Sequence, residues 1–181
     1  MAAAGARAGP GRAFEGIRRV TEAWALAGGL LLVGVVLVNA ASLAGGVLFG
    51  QPIAGDFEIV EVGIAVAVFS FLPYCQITGA NVTADIFTAG AGRRWQSAFA
   101  ILAGTIALGF GLLLLWRMSL GLLDFRRYLE VTTIYQFPLW IAFVPILVSL
   151  FLLVLAAGAT LLEACRGRLV DERPIRTPAP R

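Results

Sequence analysis

The residue types that carry most protein chemistry are scarce in this chain. There is no His among its 181 residues, and there are only two Cys, Cys75 and Cys165. Without imidazole, most haem ligation, a catalytic zinc centre and a Ser-His-Asp triad fall away. Two isolated Cys do not make a metal site. What remains are a few polar residues inside or beside apolar runs: Asn39 near the middle of the first run, Glu58 and Glu61 at the start of the second, and Asn81 and Asp85 just after it. A complete transport pathway or proton relay needs several ionisable or ion-coordinating groups converging at mid-membrane depth. One mid-run Asn and no mid-run acid or base fall short of that, so no catalytic, cofactor-binding or metal-binding residue is predicted.

The elements that must position these residues follow from composition. Hydrophobic residues make up 59% of the chain and charged residues 14%, against roughly 45–50% and about 25% in ordinary globular proteins. A soluble fold of this size would lack the charge to cover its exterior, so the apolar solvent is a bilayer. Four runs approach the ~20 residues that a hydrocarbon core demands: about 25–49, 59–77, 99–116 and 137–162. The expected fold is all-α, an integral membrane four-helix protein with a membrane domain over 13–165. Polar tails at 1–12 and 166–181, rich in Arg and Pro with Ala and Gly at the N-terminus, read as disordered.

All 14 basic residues are Arg, and their distribution orients the chain. Eleven lie in the N-terminal segment (Arg7, Arg12, Arg18, Arg19), the loop between the second and third spans (Arg93, Arg94) and the C-terminal tail. Three, Arg117, Arg126 and Arg127, lie on the other side. The positive-inside rule predicts both termini in the cytoplasm of a multi-pass protein. With a net charge of only +3 and no basic patch interleaved with aromatics, nucleic acid is not an expected partner. Cys75 and Cys165 then face a reducing compartment, where a structural disulfide does not persist.

Between Phe14 and Trp24, Phe14, Ile17, Val20, Thr21 and Trp24 fall on one helical side and Glu15, Arg18, Arg19 and Glu22 on the other. This predicts a short amphipathic helix at the membrane surface. The first span reads as retained, because its apolar stretch exceeds the ~7–15 residues of a signal-peptide core. Trp24, Trp95, Trp116 and Trp140 are candidate interfacial anchors facing membrane lipid. In lipid, close helix contact depends on small residues that admit a neighbouring backbone. Ala103, Ala107 and Gly111 form such a stripe in the third span, with shorter versions at Gly63 and Ala67 and at Ala41 and Gly45.

Three stretches carry a resemblance. Gln51-Pro52-Ile53-Ala54-Gly55-Asp56-Phe57-Glu58 leads into the second span, Phe71 to Asp85 (FLPYCQITGANVTAD) closes it, and Phe137-Pro138-Leu139-Trp140 opens the fourth. On a four-span frame with cytoplasmic termini, they resemble the small permease subunit of tripartite ATP-independent periplasmic (TRAP) transporters over roughly residues 14–162. Gly55 and Glu58 match the family's approach to the second span, and Pro138 and Trp140 match its start of the fourth. Gly79, Asn81 and Asp85 match a Gly-x-His-x-x-x-Asp-like stretch, with Asn81 at the His position, where it can hydrogen-bond but not titrate.

The resemblance implies a scaffold subunit of the bacterial inner membrane that anchors a large permease subunit. That partner would carry the substrate and ion sites. A periplasmic solute-binding protein would deliver the solute, typically an organic acid, and an ion gradient would drive uptake. Glu58, Glu61, Asn81 and Asp85 would then fix helix ends or contact the large subunit. The alternatives are a self-sufficient small homo-oligomeric transporter, for which Glu61 is the sole candidate acid, and a membrane structural protein unrelated to transport. A four-span thiol-disulfide enzyme would need paired Cys on the oxidising side, which the chain lacks.

Overall fold

Backbone N–H and C=O groups find no water in hydrocarbon, so a spanning segment must satisfy them internally. The structure, a computed structural model describing residues 12–79 and 93–165, does this with four helices: α1 (Arg12–Phe49), α2 (Asp56–Thr78), α3 (Arg93–Tyr128) and α4 (Trp140–Cys165). Each is long and apolar enough to cross a membrane. Large apolar side chains such as Leu30, Val47 and Phe49 point outward, as they do where lipid is the solvent.

The helices stand in a row rather than a closed ring. α2 packs against α1 and α4, α4 packs against α2 and α3, and α1 touches α4 more lightly. Among the described residues α3 rests on α4 alone. Glycines set two seams of the row, and the first has a seven-residue spacing. Along α1 the buried positions Thr21, Gly28, Val35 and Ser42 face α2, whose buried Gly63, Ser70 and Ile77 recur at the same spacing. A Cβ on Gly28 would stand 2.5 Å from the Ser70 Cβ, and one on Gly63 would run into Val35. The register therefore sets Gly28 beside Ser70, Val35 beside Gly63 and Ser42 beside Asp56. A repeat of seven keeps one face of each helix on its neighbour over the whole length.

The second seam sets Gly104 against Leu161, Gly111 against Val154 and Gly121 against Phe143. Phe125 extends it, its ring 4.8 Å from that of Phe143. Of the expected small-residue stripe on this helix, Gly111 faces α4, Ala107 is half-buried and Ala103 is exposed; Gly104 makes the close approach instead.

Two elements differ from the sequence expectation. Among the described residues no separate surface helix precedes the first span: residues 14–24 are the opening turns of a continuous α1. Their polar side is exposed, with Arg19 3.8 Å from Glu15. Part of their apolar side meets protein: Val20 is exposed, but Thr21 is fully buried and the Trp24 indole N–H donates to Ser149 Oγ on α4 at 2.8 Å. No Gly or Pro separates Trp24 from the span, so nothing interrupts the helix. Likewise α3 continues past Trp116 to Tyr128, since Gly121 and Phe125 extend its contact with α4. The end of α3 is marked by Leu129 at φ 50, with the Glu130 N–H reaching back to the Phe125 carbonyl at 3.4 Å, a Schellman-type stop.

The α1–α2 seam predicts an asymmetric response to substitution. Gly28→Leu places a side chain against Ser70 and the Ala67 carbonyl, and should destabilise by roughly 1–3 kcal/mol through overpacking. Gly34→Leu, with open space around Gly34, should not. Thermal unfolding in detergent reads the difference, and equal midpoints for the two variants would contradict the seam.

Candidate functional site

The polar residues of the helices gather at the end that carries the 50–55 and 129–139 loops. Gly50 and Gly55 both have positive φ, 66° and 77°, which glycine adopts without strain; they turn the chain from α1 into α2. Ser42, buried on α1, sits under this turn. Its hydroxyl donates to Asp56 Oδ2 at 2.5 Å and accepts the Ile53 N–H at 3.1 Å. The other oxygen of Asp56 accepts the Phe57 N–H at 2.7 Å. A carboxylate in the first turn of a helix also complements the helix dipole. The α1–α2 connection is thus tied by one hydroxyl and one carboxylate.

One turn further along α2, the Glu58 carboxylate ties down the other loop. Residues 129–139 fold as a small hairpin: the Thr132 N–H donates to the Phe137 carbonyl at 3.0 Å, and the Leu139 N–H to the Glu130 carbonyl at 3.1 Å. The Phe137 N–H closes onto Thr132 Oγ1 at 3.0 Å. At the tip, the N–H groups of Ile134 and Tyr135 point to Glu58, which accepts them at 2.6 and 3.1 Å. Bonds from N–H to an ionised carboxylate are among the stronger protein hydrogen bonds. Gly55 completes the arrangement, since a Cβ there would stand 2.5 Å from Tyr135 Cε2. The spacing of Gly55 and Glu58 therefore has a physical content: the glycine leaves room for the Tyr135 ring, and the carboxylate takes the amides beside it.

Beneath the hairpin, between α1 and α2, lies a groove of about 410 Å³ lined by Leu31, Val35, Ile59, Val62, Gly63, Thr132, Tyr135 and Phe137, with Glu58 at its edge. It is apolar, and the Glu58 oxygens are already engaged by the hairpin amides. A polar solute would find no converging donors and acceptors there. Nor, among the described residues, do three or more His, Cys, Asp or Glu come together as a metal-binding group.

The remaining candidate residues are dispersed. Asn39 and Glu61 are exposed on α1 and α2. Trp24 bridges α1 to α4 through Ser149, which itself donates to the Pro145 carbonyl at 2.8 Å. Trp116 is exposed, while Trp140 is half-buried with the Arg126 guanidinium 6.0 Å from its ring centre, within cation–π range. The Trp95 side chain, and Asn81 and Asp85 altogether, lie outside the described residues. At the far end, Gln76 Nε2 donates to Thr160 Oγ1 at 3.4 Å, joining α2 to α4.

Sequence reasoning missed Ser42, Asp56 and Ser149. Asp56 carried a readable signal, an acid just after a glycine at a helix start. Ser42 and Ser149 lie inside apolar runs, and their partners are set only by the helix register.

Two substitutions test this end of the molecule. Glu58→Ala removes the acceptor for the Ile134 and Tyr135 amides, and hydrogen exchange across 132–137 should accelerate at least tenfold with the rest of the bundle unchanged. Unaltered exchange would dismiss the tie. Ser42→Ala leaves the Ile53 N–H and Asp56 without their buried partner and should cost about 1–3 kcal/mol. A thermal midpoint equal to that of the unsubstituted chain would remove Ser42 from the account.

The chain matches a family model described as "Tripartite ATP-independent periplasmic transporters, DctQ component" over residues 32–167. The match takes in just under half of α1, all of the other three helices and both loops just described. No curated protein and no solved structure matches the chain. The matched stretch spans most of the sequence, and the chain belongs to the family of the DctQ component, the small membrane subunit of tripartite ATP-independent periplasmic transporters.

Proposed function

We propose that this chain is a scaffold: it anchors a large permease subunit in the bacterial inner membrane while that partner carries the solute and ion sites. The observation that supports this reading best is the dispersal of its membrane-embedded polar groups. Asp56, Glu58, Ser42 and Ser149 are engaged in holding helices and loops together. Asn39 and Glu61 face outward, away from any shared cavity. A transport path built by one chain requires such groups to converge between helices.

The open row of helices supports the same reading. A row leaves long apolar faces uncovered, as on α1 and α3, suited to another membrane protein as well as to lipid. The start of α1 and the end of α4 are at one end of the row, and we assign that end to the cytoplasm by the excess of Arg in the flanking segments. The 50–55 and 129–139 loops then face the periplasm, toward a solute-binding protein. The family's architecture implies uptake of a solute, typically an organic acid, driven by an ion gradient.

The test is copurification. The chain, tagged in its native cell and extracted in mild detergent, should bring down one large polytopic membrane protein at near-stoichiometric yield. Recovery of the chain alone, or with only copies of itself, would overturn the scaffold reading in favour of a homo-oligomeric transporter. Fluorescent-protein fusions at each terminus should both be fluorescent. A dark fusion at either end would reverse the orientation.

A further inference from the structure

Glu61 places a carboxyl group on an otherwise apolar outward face. It lies on an exposed stripe of α2 with Phe57, Ile64 and Val68. From its place in the sequence it would sit near the membrane surface, only a turn or so inside α2. The α1–α2 register moves it deeper. With Val35 beside Gly63 and Ser42 beside Asp56, Glu61 stands level with Leu37, midway along the apolar run of α1 from Leu26 to Phe49. The outward-facing Leu43, Val47, Leu48 and Phe49 extend beyond the level of Asp56, so the start of α2 is not the edge of the apolar zone. Asn39, exposed on α1, falls at almost the same depth by the same register.

Among the described residues no hydrogen bond or ion pair reaches Glu61. A carboxylate in hydrocarbon is costly, and membrane-embedded acids normally face protein or water and are paired there. Among the described residues the buried side of α2, at Gly63, Ala67, Ser70 and Pro73, lies away from Glu61, and α3 does not touch α2. The outward stripe of α4, by contrast, is apolar throughout, with Val144, Val148, Phe151 and Leu155.

The geometry points to the Phe57–Val68 stripe of α2, centred on Glu61, as the docking face for a transmembrane helix of the large subunit that presents an Arg or Lys at mid-bilayer depth. This rests on the scaffold reading and deepens it. Charge complementarity selects the occupant. Lipid acyl chains leave the carboxylate unpaired, and a basic side chain on a partner helix neutralises it where the low dielectric strengthens the pairing. A second copy of this chain is the rival occupant, through the outward-facing Arg117 of α3.

The experiment uses the full complex extracted from native membranes. A photo-reactive benzophenone side chain in place of Ile64 should cross-link to the large subunit, and the linked peptide should carry Arg or Lys within a turn of the site. The same probe in place of Phe151 should not give that product. Glu61→Arg should lower recovery of the large subunit at least tenfold, and Glu61→Asp should retain it. Because Glu61 is exposed and, among the described residues, unpaired, these variants should remain folded, checked by an unchanged thermal midpoint. Cross-linking at position 64 to lipid alone or to a second copy, a linked peptide without a basic residue, or full recovery with Glu61→Arg would overturn the inference and leave the scaffold reading standing. If the unsubstituted chain recovers no large subunit, the scaffold reading itself falls, and this inference with it.

Discussion

Helices in a bilayer gain almost nothing from hiding apolar surface against one another, because lipid is as apolar as a leucine side chain. Association must come from close packing and from the few polar groups that can pair. The α1–α2 seam answers this constraint with glycine, hydroxyl and small side chains at every seventh residue, and most other features depend on it. It sets Ser42 beneath Asp56, which fixes the start of α2. The start of α2 aims Glu58 at the hairpin between α3 and α4. The same register sets the depth of Glu61 and Asn39.

The two ties at the loop end work together. Ser42 and Asp56 join helices adjacent in sequence, whereas Glu58 joins α2 to a hairpin nearly eighty residues away, at Ile134 and Tyr135. Gly55 stands between them and admits the Tyr135 ring. Leu129 and Gln136 hold left-handed backbone angles, φ 50 for each, which non-glycine residues adopt at a cost of about 1–2 kcal/mol. That strain persists because the surrounding hydrogen bonds over-determine the hairpin. The result is a stiff cap on one end of an otherwise open row of helices, a property that suits a fixed anchor better than a moving carrier.

Much of this was legible in the sequence. The number of helices followed from run length and hydropathy, and the family resemblance rested on Gly55, Glu58, Pro138 and Trp140, residues that the structure gathers around one hairpin and the helix it opens. What was not legible depends on register. Trp24 reads as a surface anchor until α4 is beside it, and Ser149 has no visible purpose until the indole arrives. Ala103 and Gly104 are neighbours with equal claim to a small-residue stripe, and only the rotation of α3 on α4 decides for Gly104. Glu61 reads as interfacial from its distance to the start of α2, and its depth emerges only when α1 supplies the scale. Asn81 and Asp85 lie outside the described residues, and their part in the subunit contact remains a proposal from sequence.

The central claim is that this chain supports transport without forming a pathway of its own. Reconstitution measures that directly: proteoliposomes holding the purified chain alone are compared with proteoliposomes holding the copurified complex, under an imposed ion gradient and with the binding protein and its solute outside. The account predicts accumulation of solute only with the complex. Gradient-driven accumulation by the chain alone would contradict it.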